Sequence, residues 1–513
     1  MLITAPERRP LKPSSASRTA ASPLYGLALG LLIGPGMSVP LLADESEPAL
    51  PLPEPVSTEH SLELQDGSTL DYQATVGYVP LGKSMDEPDA RVFTVSYTVD
   101  SDEDRPVTFM VNGGPGAASA YLNVGGLGPR VLETDDQGLA TSTPPRLVDN
   151  PKTWLAFTDL VFVDPVGTGF SRVMGGEADQ YFSRDGDLAA MEETLERWLD
   201  EHGRRGDAVY LAGESYGGYR AAALPARIAK GSGISLSGTV LISPALDYGM
   251  LEHGTARPIG WALSLPAITA AAKAQGRLGD DPPSLEEAEA FALGDYLQGL
   301  IHPGQIDDDW IDQVARFTGL SRDRLKATRG RITLDMTQRG LLMDEGRLVS
   351  LYDGGIDNLD PVPTHLQPQA DAILDGLTAP LSTAMLDHLR NTLDWEHGHQ
   401  YRLLSRDVFR AWDWEASGRE GHFTAMDELA TALSLNRDFR IFSVHGEADL
   451  ITPYFTTEWL LGQIAFAAGD EADSRIIPRA YPGGHMLYMR ADTNEALFDD
   501  AAAFYQGELR ADD

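Results

Sequence analysis

The segment Val209-Tyr-Leu-Ala-Gly-Glu-Ser215-Tyr-Gly-Gly-Tyr219 sets a serine between glycines, at the end of an apolar run and ahead of a helical one. Gly213-Glu214-Ser215-Tyr216-Gly217 fits G-x-S-x-G, a turn too sharp to admit side chains at its flanks, which leaves the serine hydroxyl projecting. A hydroxyl becomes a useful nucleophile only when a base takes its proton and an acid orients that base. For a strand–serine–helix turn the chain order is serine, acid, histidine. Val444-His-Gly-Glu-Ala-Asp449 supplies Asp449 as the orienting acid, with Glu447 the alternative two residues earlier. Tyr481-Pro-Gly-Gly-His485 then carries His485 in a glycine-rich loop near the end of the chain, whereas His445 precedes the acid and falls in the wrong order. Phe109-Met-Val-Asn112-Gly-Gly-Pro-Gly116 is a strand running into bare backbone that can approach a substrate closely. Together with the free N–H groups of the helix starting at Ser215, it could hold a developing oxyanion. This loop lacks the Lys-Ser/Thr ending and the spacing of nucleotide-binding glycine loops.

Such residues need rigid elements behind them. Strand-like runs occur at 70–78 and 91–99, and continuous apolar ones follow at 107–111, 160–163, 209–212 and 239–242, as expected of strands buried on both faces. Between two of these, Leu188, Met191, Leu195, Trp198 and Leu199 share one helical face, with Glu192, Glu193 and Glu196 turned away. Strands alternating with helices imply a mostly parallel sheet with covered faces, an α/β-hydrolase fold. From about Met250 to Asp438 the pattern becomes helical and irregular, and strand character returns at 439–444 and 475–477 before a closing helix at 495–505. The expected organisation is a core in two parts, 61–249 and 439–513, split by a helical cap insertion, 250–438.

With 513 residues, 42% of them hydrophobic, the chain has ample material for a buried core. The formal charge is −37, and only six of the 40 basic residues are lysines. An acidic surface of this kind argues against nucleic acid and against docking on anionic lipid. It suits salty surroundings, where counter-ions screen self-repulsion, and equally suits ordinary solubility. The absence of cysteine excludes disulfides, thiolate metal sites and a cysteine nucleophile. Residues 1–43 read as an export signal: basic Arg8, Arg9, Lys12 and Arg18, an apolar run from Leu24 to Ile33, and Ala43 ahead of Asp44. That run falls short of the ~20 residues of a membrane span. A Pro-rich acidic tether at 44–60 follows, and the expected location is periplasmic or secreted.

Five segments together resemble the serine carboxypeptidases of the peptidase S10 family: Asn112-Gly-Gly-Pro-Gly116, Asp164-Pro-Val-Gly-Thr-Gly-Phe-Ser171, Gly213-Glu-Ser-Tyr-Gly-Gly218, Asp449 with Thr452-Pro453, and Gly484-His-Met486. The resemblance implies removal of C-terminal residues from peptides through an acyl-enzyme on Ser215, with His485 as general base, Asp449 orienting it, and no metal or organic cofactor. It further implies an oxyanion hole from the N–H groups of Gly114 and Tyr216. The substrate's terminal carboxylate would be bound by the Asn112 side chain, the Gly113 N–H and Glu214. A carboxyl group serves a carboxylate only when protonated, which burial favours. The family's partner carboxylate for Glu214 is missing, because Gly126-Leu-Gly-Pro129 stands where the family carries E-L-G-P. The same triad also suits an esterase, acyltransferase or lyase, and the remaining reading is an exported binding protein with a silent site.

Overall fold

The computed structural model describes residues 53–511 apart from 85–86, 102–103, 176, 255, 366, 397, 415–422 and 469–473. The expected export signal, 1–43, and the first part of the expected tether lie outside the described residues.

Nine strands form the main path of one sheet: β1 Val56–Glu63, β2 Thr69–Leu81, β3 Ala90–Thr98, β4 Val107–Val111, β5 Asp159–Val163, β6 Val209–Glu214, β7 Leu236–Ile242, β8 Arg440–Gly446 and β9 Ile476–Tyr481. Their order is β1-β2-β3-β5-β4-β6-β7-β8-β9, with the two-residue strand Arg172–Val173 paired to β3. From β5 to β9 all neighbours are parallel, and β1, β2 and β3 make an antiparallel edge. The sheet is the mostly parallel, helix-flanked sheet of an α/β-hydrolase. One boundary differs from expectation. Val56–His60, read as the end of a tether, pair with β2 from Val56↔Val76 to His60↔Tyr72. Their alternation of exposed and half-buried positions is that of an edge strand, which the proline-rich stretch just before it obscures.

Side chains alternate across the sheet and build a core on each face. Met110, Phe162, Ala212, Val240 and Phe442 point to one, and Phe109, Val161, Leu211, Leu241 and Ile441 to the other. The second face is covered by α1 Arg184–Glu201 and α2 Tyr216–Gly231. The Ser183 side chain caps α1 by accepting from the Gly186 N–H, and Asp185 and Asp187 suit the positive end of its dipole.

The stretch 250–438 divides in a way its sequence did not announce. Helices Pro258–Leu263, Leu265–Ala274, Leu285–Phe291 and Asp308–Thr318 close a third core of their own, around Ala271, Tyr296, Val314 and Phe317. The later helices α3 Leu374–Asn391 and α4 Met426–Leu435 instead pack on the sheet. Leu381 and Met385 join the first core, and Leu429 and Leu433 the second. An amphipathic helix has the same periodicity whichever surface it covers, so only folding reveals its destination. Two further helices finish the layers, α5 Tyr454–Ala468 and α6 Ala491–Gln506.

Candidate active site

Ser215 lies between β6 and α2 with φ 60° and ψ −121°, a conformation that costs a side-chain-bearing residue of order 1–3 kcal/mol. Its neighbours hold it there: the Ser215 N–H donates to the Ile242 carbonyl and its own carbonyl accepts from the Ala245 N–H, both at 3.0 Å. The flanking glycines are sterically required. A Cβ on Gly213 would stand 2.0 Å from the Gly217 oxygen, and one on Gly217 would stand 2.1 Å from the Val111 oxygen.

The loop after β4 lies directly against the elbow. A Cβ on Gly113 would meet the Tyr216 nitrogen at 2.6 Å. Gly114 has φ +100°, open to glycine and strained for other residues. In both segments the neighbours are buried while Gly114 and Ser215 are half-buried, so the backbone opens at those two points. Several contacts brace this loop. Arg220 of α2 is fully buried, donates to both Asp187 oxygens at 2.8 and 2.9 Å, and reaches the Asn112 carbonyl at 2.5 Å. The Ser119 N–H donates to Asp164 Oδ1 at 2.8 Å, and the Ser171 hydroxyl donates to the Asp164 carbonyl at 2.6 Å. The Asp164–Ser171 segment thus acts as a strut behind the glycine loop.

Asp449 and His485 meet. His485 Nδ1 and Asp449 Oδ2 are 2.7 Å apart, both residues buried. An ionised Asp only accepts, which puts the proton on Nδ1 and leaves Nε2 as the basic edge. The Ile451 and Thr452 N–H groups donate to Asp449 Oδ1 at 2.9 and 3.0 Å, and Thr452 Oγ1 donates to Oδ2 at 2.7 Å. His485 is fixed by its N–H donating to the Tyr352 carbonyl at 2.5 Å and by its carbonyl accepting from the Ser243 hydroxyl at 2.9 Å. Burial alone would lower the imidazole's proton affinity, but the Asp449 charge and hydrogen bond, with Glu214 beyond, carry it above the usual histidine range. Glu447, the alternative acid, is half-buried, and its charged neighbours are Lys273 and Glu286. Burial holds His445 down at about 4.

Nε2 of His485 faces the elbow and lies 3.8 Å from Glu214 Oε1. Among the described residues no hydrogen bond joins it to Ser215 Oγ. Such bonds are commonly long before substrate arrives. Glu214 is buried, and burial raises its carboxyl above the usual range against the opposing pull of His485, Tyr488 and Asn112. Asn112 Nδ2 and the Tyr488 hydroxyl both donate to Glu214 Oε2, each at 2.6 Å. The Asn112 Oδ1 accepts from the Leu122 N–H at 3.1 Å, which fixes the amide's orientation and leaves the second Nδ2 hydrogen free of Glu214. Tyr488, Tyr352, Thr452, Ser243 and the Asp187–Arg220 pair were not singled out as site residues from the sequence. The one available signal was a tyrosine hydroxyl within the apolar run Met486–Met489, three residues after His485.

The serine carboxypeptidase family model matches residues 65–258. Serine carboxypeptidase-like 2 of Arabidopsis thaliana is 30% identical over 195 residues, covering 35% of this chain and 42% of its own length. Serine carboxypeptidase-like 5 of the same plant is 30% identical over 208 residues, 37% of this chain and 45% of its own. Pheromone-processing carboxypeptidase kex1 of Sclerotinia sclerotiorum is 38% identical over 118 residues, 21% of this chain and 16% of its own. The chain thus spans less than half the length of these curated relatives. Among solved structures, VinJ aligns with 85% of this chain and 99% of its own at 13% identity and a TM-score of 0.37. Through residues 65–258, which carry both the glycine loop and the Ser215 elbow, the chain is similar to the serine carboxypeptidase family.

Proposed function

We propose that the chain is an exported serine-type carboxypeptidase acting on peptides with a free C-terminus. The observation that carries this reading is the buried Asp449–His485 hydrogen bond of 2.7 Å, with the opposite imidazole edge turned toward the Ser215 elbow. His485 Nε2 takes the Ser215 proton as Oγ attacks the last peptide carbonyl. Asp449 keeps Nδ1 protonated and stabilises the imidazolium. The oxyanion forms against the N–H groups of Gly114 and Tyr216, the second at the start of α2. The imidazolium then protonates the departing amino acid, and water, deprotonated by His485, releases the acyl group. The Asn112 amide, the Gly113 N–H and a protonated Glu214 receive the terminal carboxylate, and the third-core helices and the segment after them cover the cleft.

Blocked dipeptides test the nucleophile: Ser215→Ala should lower kcat by on the order of 10⁵–10⁶-fold with an unchanged melting temperature, and retained turnover would refute it. Matched free and amidated peptides test the carboxylate site. Equal cleavage of the two would transfer the triad to an endopeptidase or esterase.

A further inference from the structure

A carboxyl group that is to donate must have its proton on the right oxygen. Glu214 has two oxygens in unlike surroundings. Oε2 receives the Asn112 amide and the Tyr488 hydroxyl, each at 2.6 Å, while Oε1 faces His485 Nε2 at 3.8 Å. An amide nitrogen only donates, and the Tyr488 hydroxyl donates as well, so Oε2 accepts twice and in the neutral acid the proton belongs on Oε1. Tyr488 is itself held fast. It is completely buried in the turn Leu487–Met489, and its carbonyl accepts from Asn494 Nδ2 at 3.1 Å. Its ring lies on Gly126, where an added Cβ would stand 2.5 Å from ring Cδ2. The turn that delivers His485 therefore also delivers the hydroxyl that orients Glu214.

Resting on the carboxypeptidase reading above, we propose that Tyr488 is a positioning residue of the carboxylate site: with Asn112 it saturates Oε2 and assigns Oε1 as the oxygen whose proton meets the substrate's C-terminus. The titratable groups around Glu214 are His485, Asp449, Tyr488, Tyr121 and Tyr352. A hydroxyl donating to Oε2 favours the ionised carboxyl more than the neutral one. Tyr488 thus fixes the geometry and also lowers the upper pH limit of C-terminal recognition.

Tyr488→Phe keeps the ring and removes the hydroxyl. Its preference for a free over an amidated peptide, as the ratio of kcat/KM values, should fall about tenfold through KM, the size expected for one hydrogen bond to a charged group. The alkaline rise of KM for the free peptide should move to higher pH, because the donor favouring ionisation is gone. A ratio and a limb at wild-type values would overturn the proposal and leave Tyr488 a packing residue. If Tyr488→Phe does not fold, Gly126→Ala, which pushes the ring aside, takes its place: the same fall in the ratio and the same move of the limb are expected, and wild-type values of both would again overturn the proposal. The wild type is measured first: failure to discriminate free from amidated peptide sinks the carboxylate site itself, whereas discrimination with an unaltered variant sinks only the role of Tyr488.

Discussion

Three side chains at the centre carry opposed electrostatic demands. Under the proposed function, His485 must lose a proton to act as base, while Glu214 must keep one to receive a carboxylate. The fold meets both by putting Asp449 on one imidazole nitrogen and burying Glu214 beside the other. Asp449→Asn should lower kcat by about 10⁴-fold, the cost of a wrong tautomer, and move the acid limb of kcat to lower pH, since burial of His485 is then opposed by Glu214 alone. An unmoved limb would detach Asp449 from the base. Glu214 also makes a stability prediction. Burial raises its folded-state pKa above the unfolded value, so its contribution is most favourable below the unfolded pKa and is lost as pH rises through the folded one. Glu214→Gln should accordingly melt higher than wild type at neutral pH, with the gap closing on acidification toward pH ~4. A pH-independent gap in calorimetry would contradict this.

At the level of elements, the glycine loop after β4 depends on side chains of α1 and α2 that stand behind it. Asp187 at the start of α1 and Arg220 in α2 form a buried pair, and Arg220 extends to the Asn112 carbonyl and lies 4.6 Å over the Tyr216 ring. Asp187→Ala would leave the guanidinium buried without its carboxylate, an expected loss of about 3–5 kcal/mol in urea unfolding. A loss under about 1 kcal/mol, the range of surface pairs, would show that solvent reaches Arg220. The acid and histidine loops are tied together in a similar way by the segment that follows the third core. The Leu351 carbonyl accepts from the Leu450 N–H at 3.1 Å, the Tyr352 carbonyl from the His485 N–H at 2.5 Å, and the Ala448 carbonyl from the Gly354 N–H at 2.9 Å. The helical insertion is thus joined to the site through residues 351–354.

For the molecule as a whole, a formal charge of −37 over 513 residues implies self-repulsion in the compact state. Added salt screens it over a Debye length of roughly 3 Å at 1 M and 10 Å at 0.1 M. The melting temperature should rise by a few °C, equivalent to about 1 kcal/mol, between dilute buffer and 1 M NaCl. A flat or falling curve would mean that the charges are already spaced or paired well enough to be neutral in effect. Among the described residues no helix is long and apolar enough to cross a membrane.

The turn at Ser215 was legible in the sequence because its constraint is local: flanking glycines, an apolar strand before and a helix after decide it within a dozen residues. Asp449 and His485 were legible as loop residues in the required order past late strands. Their union at 2.7 Å needed the sheet that sets β8 beside β9. The tertiary structure alone decided what Glu214 touches. Tyr488 is 274 residues away in the chain, and no pattern within either segment encodes a contact between them. The destinations of α3 and α4 were hidden for the same reason. Periodicity states that a helix has an apolar face, whereas long-range packing selects the surface that face covers.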